Sequence, residues 1–306
     1  MFRTNLILEA IPPFDFHLSA HIFREGDPQI RCYNGEIFWQ VLNLDGQLAL
    51  IRVESIGNVE IPKLKVELIS NKKLSDRRQK KARELVASNL NLQLNLIPFY
   101  LYVADDKVMN SLSKLLRGLK SPTTPTIFES LVDSIIEQQI SLKAAHSIEN
   151  RVIRNFGEYI YFEEETYYAY PSPDTLAGLD LQELRECGLS FRKSEYVRDL
   201  SQSILDNDLD LDRLKEIHET HKIIDELCKI RGVGVWTAEL TVIRSIPRFD
   251  AMPADDIGLR RTISHFYRQD QRISANDARE IGNYWGKWKG LAGYYLVVAE
   301  LTNIKI

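Results

Sequence analysis

Apolar and polar side chains alternate over much of the first third of the chain. Residues 37–41 alternate in this way, and the pair Asp45–Gly46 separates them from the apolar run 48–53. An Asp-Gly pair between two such runs predicts a β-hairpin, because glycine accepts the positive φ of the tight turn. Two further stretches, residues 14–18 and 63–68, alternate with the same period of two. The N-terminal third is therefore predicted to form an antiparallel sheet.

A helical spacing of apolar residues replaces this alternation further along the chain. It occurs first over residues 75–90, after which residues 92–96 predict one more strand. From about Val108 onward almost every segment has helical spacing. The run 127–140 is apolar over a broad face and predicts a central, buried helix, and Thr126–Glu129 has the form of a capping box at its start.

The acidic, tyrosine-rich segment Glu158–Tyr170 interrupts the helical pattern and is predicted to be a surface excursion that ends at the prolines following it. The chain contains no internal repeat and no low-complexity linker. These patterns predict an α+β protein. An N-terminal β-rich lobe, residues 1–107, packs on an all-helical body, residues 108–306.

Composition limits the classes of function. The 306 residues include 39 Lys or Arg and 43 Asp or Glu, and this net charge of −4 opposes binding of nucleic acid by bulk positive charge. Positive charge is nevertheless concentrated locally, since residues 257–294 contain seven Lys or Arg against three acidic residues. The scattered Cys32, Cys187 and Cys228 form neither a disulfide framework nor a four-thiolate iron–sulfur site. With no secretory or membrane-spanning run, we expect a cytoplasmic protein, nucleoid-associated in a prokaryote.

The most informative stretch is a predicted helical hairpin over residues 223–245. An apolar helix end meets Gly232-Val233-Gly234, and a second helix begins at once. Two glycines let a ligand approach the backbone, and the N–H groups at the following helix start carry partial positive charge. The turn is therefore a candidate phosphate site. The alternative is an ordinary helix corner, in which glycine only supplies a positive φ.

Two adjacent carboxylates, Asp255 and Asp256, follow within the segment 252–261. Aspartate at a helix start usually caps the helix, and one cap needs one carboxylate. We therefore expect one of the pair to cap the helix and the other to face whatever the glycine turn holds. A fixed negative charge there stabilises an oxocarbenium-like sugar or orients a water molecule.

These segments together carry a resemblance to a known family. The glycine turn followed by Trp236-Thr237-Ala238, and then Pro253–Arg261, resembles the helix–hairpin–helix (HhH-GPD) DNA glycosylase superfamily, and most closely its 3-methyladenine DNA glycosylase II branch. Other stretches of that branch are similar to residues 134–141, 187–196 and 285–288. The resemblance covers about residues 120–300, and it implies that the N-terminal lobe is similar to the TATA-binding protein.

The resemblance implies roles for the matching residues. Asp256 matches the catalytic aspartate, and Asp255 matches the carboxylate that often precedes it. Gln138 and Gln139 fall where relatives fill the gap left by a flipped nucleotide or contact the orphaned base; two surface glutamines at a helix end are the alternative. Contacts with the DNA backbone are implied for the residues of the turn: Arg231, Gly232, Val233, Gly234 and Val235. For Arg260 and Arg261, just past the aspartate, the two alternatives are a contact with phosphate and a balance of charge on the helix.

The resemblance also implies a base pocket and a cation site. Trp236 and Trp288 match aromatic positions near the pocket, with core packing as the alternative. Leu240 stands where the best-known member of the branch has an aromatic residue. Family members hold a monovalent cation, Na⁺ or K⁺, with main-chain carbonyls, which here belong to Ile230 and Val233.

The activity implied is that of a monofunctional DNA N-glycosylase of base excision repair. Such an enzyme flips an alkylated base such as 3-methyladenine or 7-methylguanine out of double-stranded DNA and hydrolyses its glycosidic bond, leaving an abasic site. Bifunctional branches keep a lysine nucleophile where this chain has Trp236, so no lyase activity is expected. A monomer is expected, with no membrane partner, no required cofactor and no iron–sulfur cluster. The alternatives are a glycosylase for oxidised or deaminated bases (8-oxoguanine, hypoxanthine, uracil) and a noncatalytic HhH DNA-binding protein.

Overall fold

The N-terminal part of the protein is an antiparallel sheet of five strands in a computed structural model that describes all 306 residues. The strands are β1 (Phe2–Glu9), β2 (Arg31–Tyr33), β3 (Ile37–Asn43), β4 (Leu48–Ser55) and β5 (Lys63–Ser70). They lie side by side in the order β1-β5-β4-β3-β2. The connection between β3 and β4 turns at Asp45 and Gly46, whose φ angles are +53° and +76°, as a primed two-residue turn requires. The predicted sheet and its hairpin are confirmed.

Two short stretches that were predicted as strands are helix and turn instead. The side chain of Asp15 accepts a hydrogen bond from Leu18 N (2.9 Å), and helix α1 (Phe16–Ala20) begins there. Residues 92–96 lie in the connection between α2 (Asp76–Asn89) and α3 (Ile97–Tyr102). Over five residues a period of two also fits positions i and i+4 of a helix or a buried turn, so the spacing could not distinguish these structures.

The rest of the chain is mostly helical, so the predicted α+β class is confirmed. The further helices are α4 (Lys107–Leu115), α5 (Ile127–Glu137), α6 (Leu142–Phe156), α7 (Pro173–Ala177), α8 (Leu181–Glu186), α9 (Phe191–Leu205), α10 (Thr220–Leu227), α11 (Val235–Ser245), α12 (Ile257–Arg268), α13 (Ala275–Asn283) and α14 (Lys289–Leu301). None of the helices is both long and apolar enough to cross a membrane.

Helix α5 is central, as its apolar face predicted. It packs against α6, α9 and α11, and nine of its eleven residues are buried. The Thr126 hydroxyl accepts a hydrogen bond from Glu129 N (3.1 Å), whereas the Glu129 carboxylate accepts from that hydroxyl and not from the backbone. Only half of the predicted capping box therefore forms. The C-terminal end of this helix points the following residues toward the glycine turn.

The segment predicted as a surface excursion is a β-hairpin, β6 (Tyr159–Phe162) and β7 (Glu165–Tyr168), that packs on the N-terminal sheet. Tyr159 and Tyr161 are 62% and 60% exposed, whereas the alternate residues Ile160 and Phe162 are buried. The two buried side chains pack against three residues of the sheet, Val41, Leu50 and Ile69. The prediction of a surface excursion is wrong for this face, because the sheet residues that cover it lie about 90 to 120 positions earlier in the chain.

Three large apolar clusters hold the molecule together. One lies beneath the sheet, one surrounds α5, α9, α10 and α11, and one joins α3 and α4 to α12, α13 and α14. The loop before α12 connects the last two, since Ala251 packs in one and Met252 in the other. Lys120 ties the N-terminal residues to this body: its buried ammonium donates to the carbonyls of Ile11 (2.8 Å) and Leu92 (2.9 Å), and burial lowers its pKa to about 7.

Candidate functional site

The glycine turn, residues 231–234, joins α10 to α11. Gly232 has a φ of +87°, in the left-handed region, and a Cβ there would overlap the ring of Tyr196 on α9. Only glycine fits both this conformation and this space. Gly234 has a φ of −97°, and a Cβ there would meet no atom within 4 Å. The first glycine thus shapes the turn, and the second leaves its surface open.

The first turn of α11 has no side-chain cap. Gly234 is the N-cap residue, and the N–H groups of Gly234, Val235 and Trp236 donate to no protein acceptor. Gly234 and Val235 are exposed. Free N–H groups at a helix start, together with the positive end of the helix dipole, favour a bound anion. The first turn of α11 is therefore open to an anion, and the phosphate contact at this turn stays a prediction.

Asp256 links the start of α12 to α11. Its Oδ1 accepts a hydrogen bond from Leu259 N (2.7 Å), which caps α12. Its Oδ2 accepts a hydrogen bond from Trp236 Nε1 (3.2 Å). One carboxylate therefore caps one helix and also lies beside the open first turn of the other.

The expectation that one aspartate caps the helix while the other faces the glycine turn is wrong. Asp256 is both the cap and the carboxylate that faces α11, whereas the exposed Asp255 forms an ion pair with Arg279 on α13. A carboxylate has two oxygens, so one can cap while the other stays available. The direction of Asp255 depends on a residue that α13 brings from far along the chain, which a local pattern could not indicate.

Glu239 lies behind the Asp256 loop, and sequence reasoning missed it. Its Oε2 is buried and has no hydrogen-bond partner. Burial raises the pKa of Glu239 to about 7, opposed by Arg279 and Lys289 and reinforced by Asp255. Glu239 is three residues after Trp236, on the same face of α11, and this spacing was the signal available in the sequence. A group that changes charge near neutral pH therefore lies against the loop.

Glu239→Gln is expected to raise the thermal midpoint by a few degrees at pH 8 and by much less at pH 5. The raised pKa means that the folded chain keeps a proton that the unfolded chain releases between about pH 4.5 and 7, so ionisation of Glu239 destabilises the protein as pH rises through that window. The neutral amide removes this loss. Melting curves at both pH values test the prediction, with the same change at Glu226, an exposed residue of α10, as the control. Equal gains at pH 5 and pH 8 would contradict it.

The two candidate glutamines occupy different environments. The Gln138 side chain turns inward, and its Nε2 donates to Gly232 O (2.9 Å) and Thr237 Oγ1 (3.1 Å). Gln139 is exposed, with a left-handed φ of +58°. Of the two, Gln139 is therefore the side chain free to leave the surface, and Gln138 holds the glycine turn.

The three candidate arginines also differ. Arg231 forms ion pairs with Asp199 (2.5 Å) and Glu195 (3.3 Å), so its side chain is partnered within the protein. Arg261 forms an ion pair with a glutamate of α14, at 2.9 Å. Arg260, one turn after Asp256, is half-buried; its Nε has no hydrogen-bond partner and its guanidinium has no salt bridge. Arg260 is the arginine that keeps an uncompensated charge near the site.

Of the three residues expected at the base pocket, Trp236 alone contacts Asp256. Trp288 packs against Phe99 (5.8 Å between ring centroids) and stacks on Phe249 (6.4 Å), within the C-terminal apolar cluster. Leu240 is buried. Trp288 therefore packs in the core, which was the alternative stated for it. The half-buried Trp236 is the aromatic side chain beside the carboxylate.

Comparisons with known proteins identify the family. The family model described as "HhH-GPD superfamily base excision DNA repair protein" matches residues 132–287, slightly more than half of the chain. The chain is 27% identical over 296 residues to a DNA-3-methyladenine glycosylase of Bacillus subtilis (strain 168), covering 95% of this chain and 96% of the relative.

Two solved structures are also similar. A DNA-3-methyladenine glycosidase from Bacillus halodurans is 32% identical, with a TM-score of 0.52 and coverage of 65% of this chain and 86% of that one. A 3-methyladenine DNA-glycosylase from Archaeoglobus fulgidus has a TM-score of 0.84 at 24% identity and covers 100% of both chains. The chain therefore belongs to the HhH-GPD superfamily of base excision DNA repair proteins.

Proposed function

We propose that the protein is a monofunctional DNA N-glycosylase that hydrolyses alkylated bases from double-stranded DNA and leaves an abasic site. The observation that carries the proposal is the position of Asp256: its Oδ2 lies beside Trp236 Nε1 at 3.2 Å, next to the uncapped first turn of α11. A DNA phosphate bound at that turn brings the adjoining sugar toward a fixed negative charge. The relatives named as 3-methyladenine glycosylases support alkylated bases as the substrate class.

The chemistry follows from charge. Departure of the base leaves positive charge on the sugar, and the Asp256 carboxylate stabilises that charge and orients the attacking water. An alkylated purine already carries positive charge, so it leaves with little acid catalysis. The half-buried indole of Trp236 offers an aromatic face that favours a cationic ring. Arg260 supplies an unpaired positive charge for a neighbouring phosphate.

Lyase chemistry needs a neutral lysine within reach of the sugar. Two lysines lie near the turn, and both are engaged elsewhere. The Lys193 ammonium donates to the carbonyls of Ile136 (2.8 Å) and Gln138 (2.6 Å), and Lys229 forms an ion pair with Glu226 (2.7 Å). Since Trp236 occupies the position of the lysine in bifunctional branches, hydrolysis is the proposed reaction.

A monovalent cation, Na⁺ or K⁺, fits the glycine turn as a structural group. The Val233 carbonyl has no hydrogen-bond partner, and the Ile230 carbonyl accepts only Val233 N (3.0 Å), so both oxygens have lone pairs to offer. A cation there would add positive charge beside the phosphate. The proposed hydrolysis requires no cofactor and no iron–sulfur cluster. The protein would act on DNA as a monomer, in the cytoplasm or on the nucleoid.

Product analysis tests the function directly. Methylated duplex DNA incubated with the protein is expected to release 3-methyladenine and 7-methylguanine, with strand breaks appearing only after alkali. Duplexes containing 8-oxoguanine, hypoxanthine or uracil are compared in the same assay. Strand cleavage without alkali would overturn the monofunctional mechanism, and release confined to the oxidised or deaminated bases would overturn the substrate class. Tight binding to all duplexes without any base release would identify a noncatalytic DNA-binding protein.

A further inference from the structure

The insertion loop, residues 138–141 between α5 and α6, is attached directly to the glycine turn. The Gln138 amide donates to the Gly232 carbonyl (2.9 Å) and to the Thr237 hydroxyl in the first turn of α11 (3.1 Å). The neighbouring Gln139 is exposed and has no such contact. The loop that carries the candidate inserting side chain is thus fastened to the segment that carries the candidate phosphate site.

Helix α9 supports both segments from behind. Lys193 donates to the carbonyls of Ile136 (2.8 Å) and Gln138 (2.6 Å) at the end of α5. Its ammonium has no carboxylate partner, and burial lowers its pKa. Three residues along the same helix face, the ring of Tyr196 packs against Gly232, and Arg231 lies over that ring at 5.3 Å.

These contacts close a ring of three parts: insertion loop, glycine turn and α9. We infer that Gln138, Lys193 and Tyr196 are positioning residues that couple insertion of Gln139 to phosphate binding at the first turn of α11. The inference rests on the proposed function, because it requires both segments to meet DNA. If the two segments move as one unit, ordering that unit on DNA costs conformational entropy once. Independent segments would each lose conformational entropy on their own.

A double-mutant cycle measures the coupling. Gly234→Ala places a methyl group in the open approach to α11, and Gln139→Ala removes the inserting side chain. Affinity for a duplex with an abasic-site analogue is measured by fluorescence anisotropy at fixed salt, for each variant and for the pair. In the native background, the fold-loss of affinity in the double variant Gly234→Ala/Gln139→Ala is expected to be about threefold smaller than the product of the fold-losses in the two single variants. In a Gln138→Met background, which keeps the side-chain size but removes both donors, the losses are expected to multiply.

Lys193 gives a second route that does not depend on the Gln138 variant folding. Lys193→Met is expected to reduce the coupling in the same way, and Lys193→Arg, which keeps charged donors, is expected to restore it. Thermal midpoints and circular dichroism identify any variant whose fold is lost. Independent losses in the native background, or coupling unchanged in both the Gln138→Met and Lys193→Met backgrounds, would overturn the inference. If neither Gly234→Ala nor Gln139→Ala changes affinity, the proposed DNA site itself is wrong and the inference falls with it.

Discussion

Asp256→Asn is expected to slow base release by a factor on the order of 10³ while affinity for an abasic duplex is retained. Asparagine caps a helix about as well as aspartate, so its carbonyl can replace the oxygen that accepts from Leu259 N. What disappears is the negative charge beside α11. The amide group then faces the indole N–H of Trp236, so one hydrogen bond is also lost.

The control for that lost hydrogen bond is the double variant Asp256→Asn/Trp236→Phe, in which no donor faces the amide. It is expected to remain as slow as Asp256→Asn, since the charge is still absent. Asp256→Ala should be equally slow and also less stable, by about 1 kcal/mol, because the cap of α12 is lost. Single-turnover release of 7-methylguanine, abasic-duplex affinity and thermal midpoints are the measurements. Release at the native rate by Asp256→Asn would refute the mechanism.

The same substitution at the two glycines of the turn is expected to affect stability and DNA binding in different proportions. Gly232→Ala should destabilise the protein by about 2–5 kcal/mol and abolish DNA binding, because its φ of +87° disfavours a side chain and the Tyr196 ring occupies the space. Gly234→Ala should cost no more than about 1 kcal/mol of stability. It should nevertheless weaken DNA binding about tenfold, since the new methyl group lies where the phosphate approaches.

Urea unfolding and DNA affinity at constant salt, measured on both variants, separate the two effects. Gly232→Ala is expected to lose both stability and DNA binding, and Gly234→Ala to lose mainly DNA binding. If Gly234→Ala bound DNA with native affinity, the N–H groups at the start of α11 would not be the phosphate site. A Gly232→Ala protein with native stability would contradict the described packing of Tyr196.

Local patterns predicted those elements of the fold whose partners are close in the chain. The turn at Asp45 and Gly46 and the apolar face of α5 depend on nearby residues, and both were identified. The strand predicted over residues 14–18 was wrong, because the side chain of Asp15 caps a helix that begins within this period-two pattern. The packing of the β6–β7 hairpin on the sheet could not be predicted, since its buried residues contact strands from the other end of the chain.

The candidate site divides in the same way. Gly232, Gly234 and Asp256 were found because a turn, a helix start and a cap have recognisable local sequences. Glu239 and Lys193 were missed. The spacing of Glu239 from Trp236 indicates a shared helix face, but the surroundings of both residues depend on tertiary neighbours that no local pattern shows. The resemblance placed both glutamines at the DNA, and only their contacts distinguish the inward Gln138 from the exposed Gln139.

Helix α11 begins at a glycine that cannot satisfy its first N–H groups. In most helices a serine, threonine or aspartate of the same chain completes that end. A DNA phosphate bound at this end would supply the missing hydrogen-bond acceptors, so α11 would be fully capped only on DNA. Folding and binding then share the same hydrogen-bond donors. By linkage, DNA bound at this end would stabilise α11, and a change that frays its first turn would weaken DNA binding.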